Sequence, residues 1–181
     1  MRSILPVVAV LLLSACASAP APRAPQPPAL PAAPALATIG TASEAVANLA
    51  SASGSLVSGR VTLVPADGGV RVTGEIGGLV RNGAHSLQVH ERGDCSAADA
   101  ASAGPYFDPQ AGAEQRGVVG GNRDRIVADA EGLARVDLLL PGAVLGGGAP
   151  NDIAGRALLV LGATPGAFSA RVACGEVQVT R

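Results

Sequence analysis

Lysine and tryptophan are absent from the 181 residues, and only two histidines and three aromatic residues (Tyr106, Phe107, Phe168) are present. All 13 basic side chains are arginines, set against 14 acidic ones for a formal charge of −1. With no net positive charge and no basic cluster, nucleic acid is excluded as a partner. Few aromatics means an aliphatic core, and no stacking platform for bases or sugar rings. Two histidines, His85 and His90, exclude any metal site that requires three or more of them. What the chain has in quantity is glycine (24) and proline (14), with 48% hydrophobic residues. A chain of this length buries one ordinary core, so one domain is expected, with or without a tail.

The beginning of the chain reads as an address. Residues 1–15 have the form of a bacterial export signal, with Arg2 at the positive start and an apolar stretch from Ile4 to Leu13. That stretch is too short to span a bilayer as a mature helix. It ends in Leu13-Ser14-Ala15-Cys16, which resembles the lipobox of bacterial lipoproteins. The resemblance implies cleavage before Cys16, lipidation of its thiol and a membrane tether. Several acyl chains hold a protein stably because each buried methylene contributes about 0.8 kcal/mol. An ordinary secretory signal, with Cys16 incidental, is the alternative. Ala17, where an aspartate would signal retention, points to the outer membrane and a periplasm-facing protein. Residues 16–42 are rich in alanine and proline, a composition that prevents helix and sheet and favours an extended spacer of about 3.1 Å per residue.

Residues 43–181 read as all-β. Val70, Val72 and Ile76 alternate with Arg71, Thr73 and Glu75; Ala134, Val136 and Leu138 alternate with Arg135 and Asp137. Further strands are expected at Glu44–Ala50, Leu56–Val64, His85–His90, Arg125–Asp129, Ala157–Leu161 and Val172–Val179. Turn signals lie between them at Asp67-Gly68-Gly69, Asn82-Gly83, Glu131-Gly132 and Gly146-Gly147-Gly148. Short strands at this spacing predict a sandwich or barrel. The segment Glu91–Asp124 lacks such a pattern and is long for a structureless loop, a length usually tied to function.

If Cys16 carries lipid, Cys95 and Cys174 remain and allow one pairing, which an oxidising compartment favours. A metal or redox site built on these cysteines would need closer spacing.

His85-Ser86-Leu87-Gln88-Val89-His90-Glu91-Arg92-Gly93-Asp94-Cys95, followed by Ser102-Ala103-Gly104-Pro105-Tyr106-Phe107-Asp108-Pro109, closely resembles the copper/zinc superoxide dismutase family. Gly155-Arg156-Ala157-Leu158 and Arg171-Val172-Ala173-Cys174-Gly175 are similar to two further family motifs, in the family's order. The resemblance implies an eight-stranded Greek-key β-barrel, with a copper and zinc site on its outer face under two long loops. It also implies where the metal ligands would stand. The copper pair H-x-H reads Gln88-Val89-His90, and strand alternation keeps Gln88 and His90 on one face. Tyr106 stands at the bridging histidine, Glu114 near the second zinc histidine, Val119 and Asn122 near the last two zinc ligands, and Leu161 at the last copper histidine. His90 is the one matched ligand, and His85 matches a family histidine that binds no metal.

Copper in this chemistry is held by several imidazoles, and zinc by about four N, S or O donors. Leucine and valine offer no lone pair, and an amide is a poor substitute for imidazole. No cofactor is therefore expected; copper and zinc would be the cofactors if the family's function were kept. The segment from Leu161 to Arg171 is much shorter than the family's electrostatic loop and carries no charge between its ends, so neither steering nor a carboxylate linking the metals has a candidate.

Arg171 matches the family arginine that guides the anionic substrate, with a structural role as the alternative: its planar fork of donors can hold the long loop. Asp94 and Asp108 read as turn caps, and Arg156 as fold-maintaining. The sequence thus points to a superoxide dismutase-like lipoprotein domain without catalysis, a binding or structural module with an unknown envelope protein as partner. The alternatives are a dismutase with an altered copper site around His90, and weak metal handling by His90, Tyr106 and Glu114. Nothing in the composition selects an oligomeric state.

Overall fold

The computed structural model describes residues 35–115, 124–162 and 170–181. The export signal, Cys16, the spacer up to residue 34, Val119 and Asn122 lie outside the described residues. Ten strands follow one another: β1 (Ala45–Ser51), β2 (Ser58–Ala66), β3 (Gly69–Gly77), β4 (Ala84–His90), β5 (Tyr106–Asp108), β6 (Ala113–Gln115), β7 (Arg125–Val127), β8 (Ala134–Pro141), β9 (Ala157–Leu161) and β10 (Arg171–Val179). Among the described residues a single 3-10 turn, at Ala101–Ala103, interrupts them.

The strands are hydrogen-bonded in the order β6-β5-β4-β9-β10-β1-β2-β3-β8, with β7 on the remaining part of β4. All of these strand pairs are antiparallel. The connections from β3 to β4 and from β8 to β9 cross from one side of the barrel to the other, as in Greek-key topology. All eight strands expected from alternation are present, their ends coinciding or shifted by up to three residues. β5 and β6 are additional. They lie in the Glu91–Asp124 segment, where three-residue strands are too short to produce a readable period.

Alternation sends Val70, Val72 and Ile76 of β3 inward, with Arg71, Thr73 and Glu75 outside; Ala134, Val136 and Leu140 of β8 do the same. The main core is aliphatic, with Leu63, Leu87, Leu145, Ile153 and Leu158 fully buried and Phe107 its one aromatic among the described residues. A second, smaller cluster of Ala52, Ala100, Ala103, Ala157, Leu159 and Cys174 lies on the other face of β9. It forms because β9 is covered on both sides: Leu158 and Val160 face the main core, Ala157 and Leu159 the loop that follows β4.

The end of the spacer is part of this packing. Buried Asn151 accepts a hydrogen bond from the Ala37 N–H at 2.9 Å and donates to the carbonyls of Ala37 (2.8 Å) and Gly142 (2.6 Å). Its amide reproduces a strand-like pairing and holds residues near Ala37 against the pole of the barrel. Burying this amide is tolerable because both of its ends are paired.

Candidate functional site

Strand alternation on β4 divides its residues between two environments. Leu87 and Val89 enter the main core. Gln88 and His90 project from the opposite face, together as expected, and both are buried under the loop that follows β4. Their neighbours on β9 are Leu159, opposite Gln88, and Ala157, opposite His90.

The loop is held down by four devices. Cys95 is disulfide-bonded to Cys174 on β10. The Arg171 guanidinium donates to the Ala100 and Gly104 carbonyls, both at 2.6 Å. Asp94 caps one turn through the Ser96 N–H at 2.9 Å, and Asp108 caps a later one through the Gln110 N–H at 2.9 Å. Finally, Arg156 donates to the Asp152 and Glu91 carbonyls, both at 2.8 Å, pairs with the Glu91 carboxylate at 3.4 Å, and lies 3.6 Å from the centre of the Phe107 ring. Arg171, a candidate for anion guidance, thus has two of its donors on backbone oxygens of the loop.

The Gly104 carbonyl is shared. It accepts from Arg171 and lies 2.9 Å from His90 Nδ1. A carbonyl can only accept, so Nδ1 carries the proton and Nε2 the lone pair. Gly104 itself has φ +78°, a conformation that favours glycine, and a Cβ there would lie 3.0 Å from the Arg92 guanidinium carbon. His90 Nε2 is buried and, among the described residues, has no hydrogen-bond partner. Burial pushes the His90 imidazole below the ordinary histidine value; the bond to Gly104 opposes this, and the charge of Arg171 reinforces it.

The remaining candidates are spread over β4, β5, β6 and β9. Gln88 donates its amide N–H to the Asp124 carboxylate. Tyr106 is the antiparallel partner of His90 across β4 and β5. Leu161 ends β9 beside Ser86 and Arg171; its side chain packs against the smaller cluster and its carbonyl lies 2.9 Å from His85 Nδ1. Glu114 is opposite Phe107 on β6, not opposite Tyr106. Cross-strand partners share a face and neighbours along a strand do not, so Glu114 and Tyr106 project to opposite sides of the β5–β6 hairpin. Two contributors, the Gly104 carbonyl and the Asp124 carboxylate, were not singled out in the sequence. Gly104 could have been found from the glycine-proline pair at Gly104-Pro105; Asp124 carries no local signal.

Redox copper or tetrahedral zinc requires several strong donors around one point. The side chains placed here are one imidazole, an amide already bonded to a carboxylate, a phenol and a leucine. No group of three or more His, Cys, Asp or Glu that could hold a metal ion occurs among the described residues. The donor set does not fit either metal. A family model described as copper/zinc superoxide dismutase (SODC) matches residues 57–177, more than half of the chain. No curated protein matches the chain.

Proposed function

Because the chain belongs to the copper/zinc superoxide dismutase family, we propose that it is a non-catalytic member, whose barrel is kept as a binding or structural module while its copper and zinc sites are lost. The observation that carries this reading is the environment of His90. Its imidazole is still oriented by Gly104 and Arg171, but its neighbours offer no donor set for a metal. The scaffold around the site is intact and the chemistry inside it is replaced. An envelope module tethered through lipid on Cys16 to the outer membrane, facing the periplasm and an unknown envelope protein partner, is supported by the export-signal pattern and by the resemblance of Leu13-Ser14-Ala15-Cys16 to a lipobox.

Loading the full-length protein with copper and zinc tests this. The expected result is no stoichiometric copper retained after dialysis and no dismutation above that of free metal. Tight one-to-one copper with dismutation well above that background overturns it.

One observation favours a second reading, a dismutase with an altered copper site: His90 Nε2 is buried with its lone pair unused. His90→Ala separates the two, since an enzyme built on that imidazole loses its activity and a scaffold has none to lose. Weak metal handling by His90, Tyr106 and Glu114 together is not favoured by the β5–β6 register, which turns Glu114 away from Tyr106. Calorimetry with copper and with zinc tests it, a saturable heat being its signature.

A further inference from the structure

Residues 36–42, between the spacer and β1, belong to no strand, yet they are seated as a strap along the pole of the barrel. The Thr41 and Ala42 N–H groups donate to the carbonyls of Gly146 at 3.4 Å and Leu145 at 2.9 Å. Asn151 pairs with both backbone polar groups of Ala37. A Cβ on Gly40 would overlap the Leu145 carbonyl oxygen, so the strap approaches the barrel as closely as only glycine allows. It is bound mainly through its backbone, and Ile39 is 83% exposed.

Leu36 is the side chain that reaches further. A Cβ on Gly112, in the turn between β5 and β6, would lie 2.5 Å from Leu36 Cδ2 and 2.9 Å from Pro150 Cβ. At the same turn, a Cβ on Gly142 would lie 3.1 Å from Gln110 Cα. The turn is therefore packed against Leu36, Pro150 and Gly142. Asn151, next to Pro150, bonds Ala37 and Gly142 together. One buried amide thus joins the strap to the surface on which the turn rests.

The β5–β6 hairpin has few attachments of its own. Each strand is three residues long and, among the described residues, β5 meets β4 at one pair, Tyr106 with His90. A short hairpin is not stable by itself and needs something to pack against. Phe107, 1% exposed, fixes its base in the core; its tip depends on what lies against the turn. From this arrangement we infer that residues 36–42 are a releasable clasp for the β5–β6 hairpin. Seated, the clasp closes the hairpin tip. Released, it lets the Asp108↔Ala113 end open while Phe107 keeps the base in place. Release is within reach because the strap has no strand ladder, because Leu36, Thr38, Ile39 and Thr41 are exposed, and because the Asn151 amide, once uncovered, is hydrated by water. The strap continues directly from the proline-rich spacer, so the clasp stands between the spacer and the hairpin that borders His90.

Amide hydrogen exchange of the full-length protein, read by mass spectrometry on the segment 106–115, is the test. Leu36→Ser removes the contact with the turn, and Gly40→Ala forces the strap off the Leu145 carbonyl. Each is expected to speed exchange of the β5–β6 amides by about tenfold. The amides of β9, which is bonded to a strand on each side, are expected to keep the wild-type rate. Hairpin exchange unmoved by both substitutions overturns the proposal. Acceleration by Leu36→Ser alone also overturns it, because a clasp that seats as a unit is undone from either position. Equal acceleration in β9 overturns it as well, since that marks a loss of overall stability and not an opening at the hairpin.

Discussion

The two histidines occupy opposite ends of the same strand, and the difference between them separates architecture from inheritance. Both are buried, with 4% of their surface exposed, and both have Nδ1 2.9 Å from a backbone carbonyl, Leu161 for His85 and Gly104 for His90. At His85 the second nitrogen is also used: the Val80 N–H donates to Nε2 at 3.3 Å. That imidazole clasps β9 to the loop before β4, and nothing about it asks for a ligand. At His90 the second nitrogen has no partner among the described residues. The carbonyl that orients it is still in place, shared with Arg171, although its surroundings fit no metal. A fully paired histidine is explained by the fold alone, whereas His90 keeps an orientation that the fold does not use.

This contrast can be broken in three ways, beginning with the largest effect. The disulfide Cys95–Cys174 ties down the loop over His90 and leaves the His85 end untouched. Reduction, or Cys95→Ser with Cys174→Ser, is expected to cost about 2–5 kcal/mol in urea unfolding. Unchanged stability would mean that the arginine contacts hold the loop by themselves. Second, leucine keeps the volume of either imidazole while removing its nitrogens. His85→Leu strands the Val80 N–H and the Leu161 carbonyl and is expected to cost about 2–4 kcal/mol. His90→Leu leaves Gly104 still bonded to Arg171 and removes an unpaired nitrogen, so its cost stays below about 1.5 kcal/mol. Equal losses would erase the distinction drawn here.

The third effect is the smallest and concerns pH. Burial lowers the folded-state value of His90 below its unfolded value, so the unfolded chain takes up the proton first. Stability from this group is complete above about pH 6.5 and falls as pH drops from there through the folded value. The slope is at most about 1.4 kcal/mol for each pH unit in that window. Denaturant midpoints measured across it should fall for the wild type and fall less for His90→Leu; parallel curves would exclude His90 as the cause.

Much of the fold could be read in the chain because alternation along a strand is a local property. Val70, Val72 and Ile76 declare an inward face whether or not β8 lies beside them. The motifs around Gln88-Val89-His90 and Arg171 were equally open to reading, because each is contiguous and the side chains at ligand positions are plain in the sequence. Strands β5 and β6 were not, since three residues do not complete a pattern. Nor was the side on which Glu114 stands, which follows from its being opposite Phe107 and not Tyr106.

By itself the sequence determined the face on which each strand residue lies and the chemical poverty of the metal positions. Periodicity and side-chain identity are properties of the chain alone, and two imidazoles do not become more on folding. The tertiary structure decided what those residues meet. It brought one carbonyl to both His90 and Arg171 and gave Asp124 to Gln88. These are contacts between segments distant along the chain, and no local pattern encodes which of the many acceptors in a folded protein a buried donor will reach.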